Sequence, residues 1–226
     1  MYKHLLFDAD NTLLDFDAAE RAALYKTLSE FLPEVNDEIC GIYHEINKDE
    51  WQKLERGETT REKLCADRFD RFISAVGADI APSGAEINKE YTKNLAKNAQ
   101  LMPYAEEILG ILCNSGYDIY IVTNGTTDVQ KSRMKLSPFE KYIKKSYISQ
   151  EMGCAKPERI FFDMVIADIG DSDRSRYLVI GDSETSDIRG AVGAGIDSVR
   201  LSDDENVKTA ATYTAHDLRG LLPILT

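Results

Sequence analysis

Tyr2-Lys3-His4-Leu5-Leu6-Phe7-Asp8-Ala9-Asp10-Asn11-Thr12 opens with a short apolar run that breaks at Asp8 into an acidic turn. The run reads as a strand delivering two carboxylates at its carboxyl end. From Asp17 to about Gln100 the pattern is helical throughout. Leu24, Leu28 and Phe31 form one apolar stripe; Ile39, Ile42, Tyr43 and Ile46 form a second; Cys65, Phe69, Phe72, Ile73 and Val76 form a third. Breakers at Pro33, Gly57, Gly77 and Pro82-Ser83-Gly84 divide these helices. After Met102-Pro103 helices and strands alternate: helix over 103–114, strand over 117–122, helix over 127–134, short strand at 147–148, helix over 157–167, strand over 177–180, helix over 187–192 and a last clear strand over 196–201. Such alternation predicts a parallel sheet with helices on both faces. A single βαβ step takes about 30 residues, yet Thr123 lies 115 residues after Asp8. The excess is helical. The expected architecture is therefore α/β: a Rossmann-like parallel core made of 1–15 and 101–226, with an all-helical cap domain, 16–100, inserted after the first strand.

Lys plus Arg number 27 against 39 Asp plus Glu, for a net charge of −12. A surface of that sign repels polyanions, which argues against a nucleic-acid polymer or an anionic membrane as partner. Leu5-Leu6-Phe7 is too short for a signal-peptide core, and no run approaches a spanning helix. Cys40, Cys65, Cys113 and Cys154 lie 25, 48 and 41 residues apart, without a C-x-x-C pair. That spacing argues against zinc and against a disulfide framework. Each is expected as a small buried hydrophobe in a reduced compartment, so the expected location is cytoplasmic. His4, His44 and His216 are scattered and give no support to a histidine-based site.

In open α/β sheets ligands sit at the carboxyl ends of the strands. The first strand places Asp8 and Asp10 there, and the strand over 117–122 places Thr123-Asn124-Gly125 there, a hydroxyl, an amide and a flexible backbone suited to phosphate oxygens. The strand over 177–180 adds Gly181-Asp182-Ser183, with Asp187 five residues after Asp182. Lys156-Pro157 is read as opening a helix, which holds the amine near a helix N-terminus. Carboxylates gathered on one site repel each other and any phosphate, so a hard divalent cation bound by oxygen is expected, and Mg²⁺ fits. A nucleophile, an acid/base, a hydroxyl, a cation and a metal ligand are the parts needed for phosphoryl transfer through an aspartyl-phosphate.

Phe7-Asp8-Ala9-Asp10-Asn11-Thr12, Val122-Thr123-Asn124-Gly125, Ala155-Lys156-Pro157 and Gly181-Asp182-Ser183-Glu184-Thr185-Ser186-Asp187 resemble the four ordered motifs of the haloacid dehalogenase-like hydrolase superfamily. The resemblance spans nearly the whole chain. Leu13-Leu14-Asp15-Phe16-Asp17, together with Asp182 to Asp187, further resembles the pyrimidine nucleotidase subfamily of the YjjG type. Asn11 departs from the superfamily pattern, where Gly is usual, but Asn tolerates a left-handed turn. The resemblance implies Asp8 as nucleophile and Asp10 as the group that protonates the leaving oxygen and later activates water. It also implies Thr123 and Lys156 at the phosphate, and Asp8, the Asp10 carbonyl and Asp182 on Mg²⁺. Asp187 is then expected to orient metal-bound water or Lys156.

The implied activity is a Mg²⁺-dependent phosphomonoesterase acting on a small phosphorylated metabolite, with pyrimidine nucleoside 5′-monophosphates first and small sugar phosphates second. Haloacid dehalogenation needs neither Asp10 nor Asp182. A receiver-like phosphoacceptor would have no place for the helical insert. Within the insert Trp51 packs or faces the site, and Arg68 keeps a solvated head over a packed stem or reaches substrate, the bland reading being favoured for both. Phe16, at the junction, stacks a base or packs a hinge.

Overall fold

The computed structural model describes residues 1–77, 82–204 and 206–225. These form two compact units, Met1–Phe16 with Ala99–Thr226, and Asp17–Asn98. The first holds a six-stranded, wholly parallel sheet: β1 (His4–Phe7), β2 (Asp118–Thr123), β3 (Ile143–Ile148), β4 (Tyr177–Gly181), β5 (Asp197–Leu201) and β6 (Tyr213–Ala215), in the order β3-β2-β1-β4-β5-β6. The connections reverse direction between β1 and β4, where Phe7 pairs with Ile121 on one side and Ile180 on the other. Loops after neighbouring strands diverge at such a point and leave a crevice.

Both sheet faces are covered, which is why the strands read as continuous apolar runs. Leu5, Phe7, Ile119, Ile121, Leu178 and Ile180 pack on one face with Ile108, Leu109 and Leu112 of α5 (Ala105–Asn114). Leu6, Tyr120, Val122 and Val179 pack on the other with Phe161, Phe162 and Val165 from the helix over 159–169.

The second unit contains α1 (Phe16–Leu28, apart from its first residue), α2 (Asp37–Glu55), α3 (Arg61–Val76) and α4 (Gly84–Leu95), confirming a helical insert after β1. Asn36, Thr60 and Ser83 cap the last three, each accepting a backbone N–H in the first turn. Tyr43, Phe69, Phe72 and Tyr91 form its aromatic centre.

The remaining helices belong to the first unit: α6 (Thr127–Leu136), the single turn α7 (Ser149–Met152), α8 (Arg159–Ile169), α9 (Arg189–Ala194) and the closing turn α10 (Leu222–Leu225). Several boundaries correct the sequence reading. α5 starts at Ala105 rather than 103, because Tyr104 takes a left-handed φ of 68° and cannot continue a helix backwards. The strand over 196–201 is not the last, since β6 adds a short edge whose Tyr213 and Thr214 give little apolar signal. The four cysteines are free, but only Cys40 is buried; Cys113 and Cys154 sit at the rims of the two core clusters, and Cys65 is also half-buried. Among the described residues no helix is long and apolar enough to cross a membrane.

Candidate functional site

β1 does not end cleanly at Phe7. The Asp8 N–H still donates to Ile180 O at 2.8 Å, so the aspartate backbone is anchored between strands before the chain turns. Asn11 then adopts φ 55°, the left-handed turn expected of it, and its side-chain oxygen accepts from the Phe16 N–H at 3.0 Å. The Leu13 and Leu14 amides fold back onto Ala9 O. On the neighbouring strand, Asp182 follows Gly181, and the Thr12 hydroxyl donates toward its Oδ1 at 3.5 Å.

The helix expected over 187–192 starts later and is preceded by a different turn. Glu184–Ile188 forms a wide π-turn before α9 begins at Arg189. This turn brings Asp187 back under Gly181, where Ser183 N–H donates to Asp187 Oδ2 at 3.1 Å. A Cβ on Gly181 would lie 2.2 Å from that same oxygen, so only glycine lets the carboxylate in. Carboxylate oxygens of Asp8, Asp182 and Asp187 lie within 4.8 Å of one another.

Lys156 is 1 % exposed and ties this group together. Its Nζ donates to Asp8 Oδ1 at 2.5 Å, Asp187 Oδ1 at 2.6 Å and Val122 O at 2.8 Å. All three ammonium hydrogens are thereby used. The Lys156 backbone is held by Asn124, whose amide nitrogen donates to Lys156 O at 2.8 Å and whose oxygen accepts from Lys156 N at 3.0 Å. The amide expected at the phosphate thus grips the lysine's main chain. Nor does Lys156-Pro157 open a helix. A turn closed by Glu158 N–H on Ala155 O intervenes, and α8 starts at Arg159.

Electrostatically the cluster carries too much negative charge for its surroundings. Burial pushes the Asp8 carboxyl well above the usual carboxylate range; Lys156 opposes this, and Asp187, Asp182 and Asp10 add to it. Asp182 is pushed up to about 7 by burial and by Asp187, again against Lys156. Burial alone would lower the Lys156 amine, but Asp187 and Asp8 outweigh it and hold the ammonium. The donors converging there are all hard oxygens, with no thiol or imidazole, a set that suits Mg²⁺.

Thr123 ends β2 at 1 % exposure, and its hydroxyl oxygen accepts from Gly125 N–H and from Gln130 Nε2, each at 3.1 Å. Asp10 turns away from the three-carboxylate cluster. Its Oδ2 accepts from Gln130 Nε2 at 2.5 Å, and its Oδ1 pairs with Arg133 Nη1. Gln130 and Arg133 were missed in the sequence, although a signal was there: α6 carries few apolar residues, so its buried face has to include polar ones. Phe16 lies over Arg133, with the guanidinium carbon 5.8 Å from the ring centroid.

In the helical unit Trp51 lies under Arg61 at 5.6 Å, and Arg68 departs from expectation. Its head is not solvated. It is buried on Asn47 Oδ1 and Asn88 Oδ1 and over the rings of Phe69 and Tyr91.

The four motifs thus meet at one crevice of a doubly wound sheet, and residues 2–195 match the family of haloacid dehalogenase-like hydrolases. The chain belongs to that family. Among its relatives, the pyrimidine 5′-nucleotidase PynA of Streptococcus pneumoniae is 33 % identical over 99 % of this chain and 95 % of its own. The pyrimidine 5′-nucleotidase YjjG of Escherichia coli is 28 % identical over 98 % and 96 %. The solved structure of the HAD hydrolase YfnB of Bacillus subtilis, bound to magnesium, superposes with a TM-score of 0.92 at 32 % identity, covering 99 % of this chain and 98 % of that one.

Proposed function

We propose that this hydrolase is a phosphomonoesterase acting through an aspartyl-phosphate, with pyrimidine nucleoside 5′-monophosphates as preferred substrates. The observation that carries the chemistry is Lys156 pinned between Asp8 and Asp187, and bonded to Val122 O, the residue before Thr123, with Asp182 in the same carboxylate cluster. The substrate class is supported by the two pyrimidine 5′-nucleotidases among the relatives.

Lys156 holds Asp8 Oδ1, which fixes the carboxylate and leaves Oδ2 to attack phosphorus. As the new O–P bond forms, the bond to the ribose oxygen breaks, and Asp10 supplies the proton that oxygen needs. Water then attacks phosphorus and gives its proton to Asp10. The Asp8–phosphorus bond breaks, phosphate leaves and both carboxylates return to their starting states. Thr123 binds a phosphate oxygen in this reading, Lys156 serves the phosphate by its charge and by releasing one of its three present partners to it, and Asn124 acts by holding Lys156. Asp8, Asp182 and the Asp10 carbonyl would hold Mg²⁺, with Asp187 beside them; the ion supplies positive charge to a phosphate otherwise facing carboxylates. The helical insert, 16–100, is read as the domain that sets leaving-group preference, and Phe16, the first residue of α1, as a further contributor to it.

The test is phosphate release from a panel of pyrimidine and purine monophosphates and sugar phosphates, with Mg²⁺ and with EDTA. Pyrimidine monophosphates should give the highest kcat/KM, and EDTA should abolish turnover. A preference for sugar phosphates would replace the substrate class, and full turnover after exhaustive metal removal would overturn the metal assignment.

A further inference from the structure

We propose that Gln130 and Arg133 are positioning residues for Asp10, holding its carboxylate in the orientation from which it serves as base; the inference rests on the aspartyl-phosphate reading above. They lie three residues apart on α6, which puts them on one helix face, and both are fully enclosed, at 1 % and 0 % exposure. A buried guanidinium is costly unless it meets an anion. Arg133 meets Asp10 Oδ1. Gln130 takes the other oxygen, so the two donors together fix the rotation of the carboxylate.

Gln130 does a second thing. The same Nε2 donates at 2.5 Å to Asp10 and at 3.1 Å to Thr123 Oγ1, using both amide hydrogens. It therefore couples the acid/base residue to the hydroxyl expected at the phosphate. Gly125 makes the coupling possible, since a Cβ there would sit 2.2 Å from Gln130 Nε2. The Phe16 ring covers the guanidinium from the loop that follows Asp10.

Both partners donate, so the arrangement matches an Asp10 that accepts at both oxygens. A proton on either oxygen would face a donor. The grip is therefore fitted to the second half-reaction, in which ionised Asp10 takes a proton from water while the Asp8–phosphorus bond breaks. In the first half-reaction Asp10 gives its proton to the leaving oxygen and so becomes the ionised acceptor that the two donors fit. Loss of the grip should slow breakdown of the aspartyl-phosphate more than its formation from a substrate whose leaving group needs no proton.

Rapid-quench kinetics with p-nitrophenyl phosphate and a pyrimidine monophosphate, on folded variants, test this. Gln130→Met and Arg133→Lys should keep the nitrophenol burst, lower steady-state turnover by about 10-fold or more and accumulate phosphoenzyme. In an Asp10→Asn background the same substitutions should change single-turnover rates by less than about threefold, because they act through Asp10. Gln130→Met nearly keeps the volume and removes the amide, whose donors alone bond Asp10 and Thr123, so it decides the matter if Arg133→Lys does not fold. Burst and steady state falling together, or losses that multiply in the Asp10→Asn background, would overturn the inference while leaving the proposed function standing. If Asp10→Asn alone shows neither a burst nor any dependence on the leaving group, the acid/base reading fails and this inference falls with it.

Discussion

Lys156 ties together Asp8, Asp187, Val122 and Asn124. It neutralises part of a buried acidic cluster and consumes a main-chain carbonyl at the end of β2. Lys156→Met keeps the stem and deletes the charge, leaving Asp8 and Asp187 facing each other without a cation. Removing one partner of a buried pair costs about 3–5 kcal/mol, so the variant should unfold at clearly lower urea and show no turnover. An unchanged urea midpoint would mean that the ammonium stabilises nothing beyond what it costs to bury. Gly181→Ala should act through the same cluster: its methyl would displace the Asp187 carboxylate, at about 1–3 kcal/mol for overpacking. Loss of turnover without loss of fold there would locate the effect in Asp187. The carboxylates were legible because each follows an apolar strand, the place where open sheets bind ligands. Gln130 and Arg133 were legible only in part: the few apolar residues of α6 show that some polar ones are buried, but not which, until the partner Asp10, 120 residues and more away, is placed.

Elements built by hydrophobic period were readable, while those built by backbone geometry or polar pairing were not. The parallel strands and the helical insert follow from patterns of two kinds of periodicity. The π-turn at Glu184–Ile188, the turn before α8 and the edge strand β6 arise from contacts that no local pattern encodes. Arg68 shows the same limit in the helical unit. Its position beside Phe69 suggested a solvated head, yet Asn47 and Asn88, on α2 and α4, draw it inside. Asn47 also donates to Glu20 of α1, which accepts from His44 Nδ1 at 2.7 Å. That last contact gives this unit a pH dependence. The hydrogen bond to Glu20 raises the His44 pKa against a smaller opposing effect of burial. A histidine with a raised folded pKa adds stability that is fully present below its unfolded value, about 6.5, and is lost as pH rises through the folded one. The stability gap between wild type and His44→Gln should therefore be widest near pH 6 and narrow above neutrality, staying small because the ring is partly in solvent. Urea melts at several pH values would show it; a gap that does not change with pH would assign His44 to packing alone.

At the scale of the whole molecule, the sheet unit keeps a site that works against its own stability. Asp8, Asp182 and Asp187 share one ammonium, and burial has pushed two of the three carboxyls upward. A cation that binds only the folded state reverses that cost by RT ln(1 + [L]/Kd), about 2.7 kcal/mol at a hundredfold excess over Kd. Asp182 separates the two contributions, since it belongs to the cluster while the three Lys156 hydrogens go to Asp8, Val122 and Asp187. Asp182→Asn keeps the shape and removes one charge. In EDTA it should unfold at higher temperature than wild type, because repulsion within the cluster is relieved. With millimolar Mg²⁺ the order should reverse, wild type gaining a shift that grows with the logarithm of concentration and the variant gaining little. Hydrogen exchange locates the effect: at amides that open locally, protection should rise in Asp8–Thr12 and Gly181–Ile188, and not in α2 or α3, whose residues lie in the other unit. A variant that is destabilised in EDTA would show that the Asp182 charge supports the fold, through its attraction to Lys156 and Arg200, rather than straining it. Equal Mg²⁺ shifts in both proteins would remove Asp182 from the metal site.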